Sequence, residues 1–526
     1  MRRFLLGIFD QHGRALPDAD PTSLWIVRQV CEYFYKLALP FSNETLDKSE
    51  ESFVEIDEDL GAQPVPYAFL EEVRKNVETH YLFPKVEDIL ASNRPRFGPG
   101  TFASSIRVSA PEYKRRHGTT TTLPADFRGV EGFFKSYPSS GELFRFGEDT
   151  AKSSELLFVP KDSRGPRVII REPLHALRMQ MAFFDWFSRY LEVNTFRRVN
   201  FRDQQANREL ARAGSIGGKW ATIDLKDASD RVSLKVIRHV VRNVPALRYF
   251  LKFRTDTVLL PSGNTIKLNK LAGMGSGLTF VMMAFLIHVV IATALTYRYG
   301  SYTEAAKNVY VYGDDIIVRN LDAKVAMAAL AKVGLKVNTS KSYTNTTAPF
   351  FRESCGGDYL DGQDVAPVRM RLPGADLSAA GHTVNLSGDG SVLAIERHAR
   401  ELVQAGFCKS AEFLYELIET CTGKLPVVSV KAHALGRVTM LPSSVYSTDA
   451  SGNYPKLSVL VPKPVRREHA SPNAYFFLSK YLNRGEVALL EWMHPEACST
   501  GFTYDEPRKV VLRRRKVSAF ALIPQA

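Results

Sequence analysis

Residues 278–295 read LTFVMMAFLIHVVIATAL, a run apolar and long enough to be a candidate for crossing a membrane, with His288 inside it. Nothing else in the chain resembles a second span. What lies on either side decides the matter. Before the run, GGKWATIDL (217–225) reads as a short strand after a glycine turn and carries Asp224 near its end. After it, VYVYGDDIIVRN (309–320) sets Asp314 and Asp315 side by side between two β-favouring stretches. If these acids serve one site, a single crossing would put them on opposite sides of a bilayer. The run is therefore expected to be a buried helix under a sheet, and no membrane is expected among the partners.

Adjacent carboxylates inside strand-like sequence need an explanation, because burying one is costly and two also repel. Gly313 and Asp314 supply a tight turn, so VYVY and IIVR are expected to form a hairpin with the acids at its tip. A bare surface turn would tolerate them; a bound cation would need them. Asp224 adds a third acid at a strand end. If its strand pairs beside the hairpin, Asp224 faces Asp314 with Asp315 alongside. Three hard oxygen donors suit Mg²⁺. Two such ions about 3.5–4 Å apart can activate a hydroxyl and stabilise a departing pyrophosphate.

The remaining composition agrees with a large protein acting on a polyanion. With 526 residues the chain is too long for one simple core, so two or three subdomains are expected. Its net charge of +13 favours nucleic acid or an acidic membrane surface. Five scattered cysteines show no metal or disulfide spacing, which fits a reducing cytoplasm. The opening MRRFLLGIFD has an apolar stretch too short for a signal peptide. Residues 43–60 are acidic and read as a solvated loop or helix face, and 93–118 as a basic, irregular layer. Helices are expected over 174–193, 228–244 and 321–335, and again after about 372; a Pro-rich stretch (455–472) and a basic tail (508–516) follow.

Taken in order, Asp224 with Asp230 six residues on, LAGMGSGLTF (271–280), YGDD (312–315), NTSKSY (338–343) and FRESCGGDYLDGQDV (351–365) resemble the palm of a viral RNA-dependent RNA polymerase. FRESCG and the wording around YGDD resemble in particular the replicase catalytic (β) subunit of the positive-strand RNA phages, the Qβ-like levivirus group. The resemblance runs from about Val159 to Arg371.

It implies an α+β right-hand polymerase with fingers, palm and thumb, whose antiparallel palm sheet is backed by helices. Residues 1–215 would be the N-terminal region and fingers, 216–372 the palm with a small fingers insertion at about 243–267, and 373–526 the thumb and C-terminal region. Asp224, Asp314 and Asp315 would hold two Mg²⁺ ions, with Mn²⁺ as a substitute. Lys161 and Arg167, in the basic strand 159–173, would cover the incoming triphosphate. Gly273, Gly275, Ser276 and Gly277 would form a loop that lets template and nucleotide approach the backbone, with Thr279 matching as well. The chain has Met283 where many related polymerases place an Asn, which puts that Asn's part in ribose selection in question. Asp230 would meet the ribose. Lys341 would protonate the leaving pyrophosphate, with Lys336 as its rival.

The implied activity is RNA-directed RNA synthesis from a single-stranded RNA template and ribonucleoside triphosphates, started without a primer, in the cytoplasm of an infected bacterium. The implied partners are host elongation factors Tu and Ts and a large RNA-binding ribosomal protein of the small subunit. Two other readings remain: a reverse transcriptase, and a non-catalytic RNA-binding protein with a vestigial palm. Glycine before the paired acids, and Asp230 where reverse transcriptases carry a bulky gate, favour the RNA polymerase. Retention of every acid in order argues against the binding protein.

Overall fold

A computed structural model describes residues 1–36, 41–92, 102–103, 122–130, 145–147, 153–370, 389–430, 432–438, 446, 450–451, 455–464 and 510–518. The expected basic layer at 93–118 lies outside these residues apart from 102–103.

The apolar run forms the helix Thr279–Tyr299, ended by Gly300 in the left-handed conformation. It is buried around its whole circumference from Val281 to Ala292. A helix with no polar stripe can sit only in lipid or inside a core, and here protein surrounds it. Leu174–Asn194, Tyr67–His80 and Ala323–Lys332 pack about it in one continuous apolar cluster.

Against this cluster lies a three-stranded antiparallel sheet in the order Trp220–Ile223, Asp315–Arg319, Tyr310–Tyr312. Alternation sorts its side chains. Ala221, Ile223, Val311, Ile316 and Val318 join the main core, while Trp220, Tyr310 and Ile317 face a second cluster with Ala211 and Tyr359. Both faces are therefore committed, and a slip of one residue would exchange them. The helix Gln205–Gly217 and the meander Phe351–Ser354, Gly357–Leu360, Gln363–Asp364 cover the second face.

A separate four-stranded sheet runs in the order Gly165–Arg171, Ser153–Asp162, Thr257–Leu259, Thr265–Lys267. The basic stretch 159–173 is thus not one strand but a hairpin turning at Ser163–Arg164, and part of the expected 243–267 insertion completes its sheet.

Other expectations need correction. Residues 228–244 are a short 3₁₀ turn, Ala228–Arg231, followed by the helix Leu234–Val240, whose N-cap Ser233 accepts from Val236 N–H. The acidic 43–60 stretch is the helix Asn43–Ala62, which buries Phe53, Ile56, Asp57 and Leu60, so it is not merely solvated. The basic tail is a strand, Val510–Ser518, paired antiparallel with Lys456–Pro464, so the Pro-rich stretch is in part a strand too. Beyond 388 the expected helices appear as Asp389–Gln404 and Cys408–Thr422.

The N-terminal segment crosses between these parts. Asp20 caps the helix Pro21–Glu32 by accepting from the N–H groups of Thr22 and Ser23. Further along, Arg28 donates to Asp358 (2.7 Å) and Glu32 (2.9 Å), Arg369 also pairs with Glu32, and Gln29 exchanges two hydrogen bonds with the Val368 backbone. Beyond the helix, Tyr33 bonds His398 (3.0 Å), and the Tyr35 carbonyl accepts from Ser163 N–H (3.0 Å) while Arg164 covers the Tyr35 ring. Asp358 is buried, and removing one partner of a buried pair strands the other charge. Arg28→Met should lower stability by about 3 kcal/mol in urea unfolding; a loss of less than ~1 kcal/mol would mean that Arg369, 3.8 Å from Asp358, replaces it.

Candidate active site

Asp224 leaves the edge strand immediately after Ile223, where the loop 338–343 runs alongside. Its carboxylate Oδ2 accepts from Asn338 Nδ2 (2.7 Å), its carbonyl accepts from Asn338 N–H (2.9 Å), and its own N–H donates to Ser342 Oγ (3.1 Å). Thr222 and Tyr343 exchange backbone hydrogen bonds one step below. Asn338 therefore fixes the carboxylate's direction as well as the strand end.

The paired acids sit at the hairpin tip, as expected. Asp315 pairs with Tyr312 across the two-residue turn Gly313–Asp314, and Gly313 takes φ +64°. A Cβ there would lie 2.3 Å from the Phe280 ring, so only glycine fits. The paired register ends with Ile223 opposite Ile316, so Asp224 leaves its strand beside the tip that carries Asp314 and Asp315, and its carboxyl feels Asp314. Asp315 is also approached from the 351–364 meander: Ser354 Oγ donates to its Oδ1 (3.4 Å), and the Cys355 N–H bonds it.

The electrostatics place all three acids in one field. Burial pushes the Asp224 carboxyl up to about 6; Asn338 and Lys341 oppose this, while Asp314 and Glu353 add to it. Burial pushes Asp315 up to about 7, with Asp314, Asp224 and Glu353 adding and the Cys355 N–H opposing. Among the described residues no group of three or more His, Cys, Asp and Glu side chains is arranged to hold a metal ion. Carboxylate oxygens under mutual repulsion are nevertheless the donor type that Mg²⁺ takes, commonly one or two of them with waters and substrate phosphates.

Lys341 stands beside this field. Its Nζ lies 3.5 Å from Glu353 Oε1. Burial works against its ammonium, but Glu353 and Asp224 outweigh that and its pKa is raised. Lys336 is exposed on the short strand Lys336–Val337, opposite Lys226. Of the two rivals, Lys341 is the one at the acids.

Lys161 and Arg167 are both exposed on the 153–171 hairpin, Arg167 opposite Val159 and Lys161 at an irregularity in the pairing. The hairpin tip reaches the site through Tyr35, whose phenol feels Asp162 and Arg164 on one side and Lys341 on the other.

The glycine loop is packed closely against the rest of the fold. Gly275 has φ +115°, and a Cβ on it would lie 2.2 Å from the Ile170 carbonyl oxygen; one on Gly277 would lie 2.8 Å from the Gln180 carbonyl oxygen. At these two positions the missing side chains make room for the protein's own backbone. Ser276 is buried, its Oγ donating to Gln180 Oε1 (2.9 Å), which also accepts from Gly277 N–H (3.2 Å). Thr279 Oγ1 closes the loop on the Gly273 carbonyl (2.9 Å), and Met283 is a core side chain. Asp230 lies in the 3₁₀ turn rather than in a regular helix, 3.3 Å from the Nζ of the fully buried Lys270.

Sequence reasoning gave no role to Asn338, Glu353, Gln180 or Lys270. Asn338 opens the NTSKSY loop and Glu353 lies within FRESCG, so both stood in quoted motifs. Lys267 and Lys270 both precede the glycine loop in NTIKLNKLA, and nothing in the sequence separates the buried one from the other.

The sequence profile described as RNA replicase, beta-chain, matches residues 87–385 and takes in all three acids. Among curated proteins, the RNA-directed RNA polymerase subunit beta of Enterobacteria phage SP is 34% identical over 284 residues, 53% of this chain and 46% of that one. The RNA-directed RNA polymerase beta chain of Escherichia phage MS2 is 30% identical over 221 residues, 42% of this chain and 38% of that one. The matched stretches thus span less than half of each relative. A solved structure of the RNA-dependent RNA polymerase of a human picobirnavirus aligns with 76% of this chain and 78% of its own at 11% identity, with a TM-score of 0.44. The sequence matches are to polymerase beta subunits of phages. More narrowly, the chain belongs to the RNA replicase beta-chain family.

A carboxyl raised from 3.8 to about 7 binds its proton more readily in the folded than in the unfolded chain. Folding is therefore progressively weakened as pH rises from near 4 through 7, and the penalty is complete above that. In metal-free buffer at pH 8, Asp315→Asn should raise stability by on the order of 2 kcal/mol and flatten its fall with pH. Thermal melts over pH 5–8 test this; an Asn variant that is less stable at pH 8 would contradict the crowding.

Proposed function

We propose that the chain is an RNA-directed RNA polymerase that replicates and transcribes a single-stranded RNA phage genome by two-metal nucleotidyl transfer, without a primer. The observation that carries this reading is the convergence of Asp224, Asp314 and Asp315 on paired strand ends, with Lys341 alongside. Relatives named as RNA-directed RNA polymerases support it. In this reading the three-stranded sheet is the palm, the 153–171 hairpin with 257–267 belongs to the fingers, and the helices after 388 belong to the thumb. The chain divides at about 215 and 372.

Asp224, Asp314 and Asp315 would hold Mg²⁺, or Mn²⁺ in its place; bound there, the ions would supply Lewis acidity to the attacking hydroxyl and the leaving phosphate oxygens. The chain's own groups do the rest. Asn338 keeps the Asp224 carboxylate aimed. Lys161 and Arg167 hold the triphosphate from the hairpin, by point charge and by planar fork respectively. The 3′-hydroxyl of the growing strand gives up its proton to solvent as its oxygen bonds to the α-phosphorus, and the bond from that phosphorus to the bridging oxygen breaks. Lys341 then gives a proton to the departing pyrophosphate and is released from Glu353 as it does so. Asp230 accepts the ribose 2′-OH.

The work takes place in the cytoplasm of the infected bacterium. By resemblance, elongation factors Tu and Ts and a large RNA-binding ribosomal protein of the small subunit accompany the chain. Glycine before the paired acids continues to favour this reading over reverse transcription.

With a short RNA template, Mg²⁺ and four ribonucleotides, Asp224→Ala and Asp314→Asn should each reduce synthesis by at least about 10³-fold, since the ions act mainly on the transition state. Filter binding of RNA should stay within a few-fold. Ordinary turnover by Asp224→Ala would remove the two-metal assignment, and RNA binding without any synthesis by the wild type would favour the binding-protein reading.

Charge makes a second demand. RNA affinity should fall steeply between low and physiological salt through counterion release, with Arg513, Arg514, Arg515 and Lys516 exposed on their strand as contributors. Affinity independent of salt would leave the +13 excess without this explanation.

A further inference from the structure

Lys270 is fully buried, which is rare for lysine unless something holds its charge. Three things do. Its Nζ donates to the Phe53 carbonyl (3.2 Å) and to Asp230 Oδ1 (3.3 Å), and it lies 3.5 Å above the Phe53 ring. Its backbone is clamped as well. Asp57, buried on the helix Asn43–Ala62, accepts from the N–H groups of Asn269 and Lys270 (2.9 Å each). The segment 269–271 is tied in turn to 232–234, through Leu234 N–H to the Asn269 carbonyl (3.0 Å) and Leu271 N–H to the Val232 carbonyl (2.7 Å). Two elements far apart in sequence thus converge on Asp230.

The Asp230 side chain is 17% exposed. Oδ1 is taken by Lys270, and among the described residues Oδ2 accepts no hydrogen bond. A Met would fill the space of the lysine stem without the burden of a buried charge, so filling alone does not explain the ammonium. Burial pushes the Asp230 carboxyl up and the Lys270 ammonium down from their ordinary values, and each group pulls the other back toward its charged form. An ionised carboxylate is acceptor-only, and the ammonium on Oδ1 fixes which oxygen is left to accept.

We infer that Lys270 is a positioning residue for sugar selection: clamped by the helix 43–62, it holds Asp230 so that Oδ2 accepts the ribose 2′-OH of the incoming nucleotide. This rests on the polymerase reading and adds Lys270 and Asp57 to the machinery that separates ribo- from deoxyribonucleotides. Both reach the sugar only through Asp230.

The test is single-nucleotide incorporation on one RNA template with matched ribo- and deoxyribonucleotides. Lys270→Met should narrow the ratio of their kcat/KM values about tenfold or more, chiefly by raising KM for the ribonucleotide. Asp57→Asn, which loosens the clamp without stranding the buried charge, should narrow it in the same direction by less. In an Asp230→Ala background, Lys270→Met should change the ratio no further. Equal losses for both sugars, or an additional change in that background, would make Lys270 a structural residue and overturn the inference. Should Lys270→Met fail to fold in a thermal melt, Lys270→Met/Asp230→Asn is compared with Asp230→Asn; equal ratios support the inference and unequal ratios overturn it. A wild-type chain that incorporates no ribonucleotide defeats the polymerase reading itself, whereas incorporation with a ratio indifferent to Lys270 defeats only this step.

Discussion

Like charges forced together by backbone register are the constraint around which this molecule is arranged. Asp224 and Asp315 come from strands whose two faces are already committed to separate apolar clusters, so neither acid can escape by sliding. The sheet therefore stores repulsion that an isolated hairpin would relieve by fraying. Its surroundings lower that repulsion only in part. Asn338 and the Cys355 N–H stabilise the ionised forms, while Glu353 adds further negative charge and is itself met by Lys341. In the proposed function, bound cations and the phosphates that travel with them would make good that shortfall of positive charge.

Rigidity behind the acids comes from close backbone packing. Gly275 and Gly277 let the 273–277 loop press against the 165–171 strand and the 174–194 helix, and Gln180 holds Ser276 and Gly277 from beneath. The buried Asp57, Lys270 and Asp230 do the equivalent on the other flank. Polar groups buried in this way are satisfied mostly by partners distant in sequence, which makes them sensitive to the correct tertiary arrangement and to little else.

That distance also explains what could be read in advance. The 279–299 helix was legible because a long apolar run has few destinations, and the 310–319 hairpin because Gly-Asp between β-branched stretches has a local meaning. Asp224 could be found from its place at a strand end. That its strand pairs beside the hairpin could be stated only as a condition, since it depends on pairing across nearly a hundred residues. Lys341 and Lys336 look alike in sequence; only the fold sets one beside Glu353 and the other on an exposed edge. The acidic 43–62 helix was read by its charged face, and the buried stripe of Phe53, Ile56 and Leu60 at helical spacing was overlooked. For the glycine loop the need for close approach was legible, and the structure adds that the protein's own backbone is among what it admits.

The N-terminal segment has a consequence of a mechanical kind. Within a few residues it is fastened to the meander through Arg28, to the C-terminal helices through Tyr33 and His398, and to the tip of the 153–171 hairpin through Tyr35, beside Lys341. Those attachments tie the meander, the C-terminal helices and the hairpin tip to one stretch of eight residues. Displacing any of the three pulls on the same short segment, so they are mechanically coupled although the hairpin lies far from the other two in the chain.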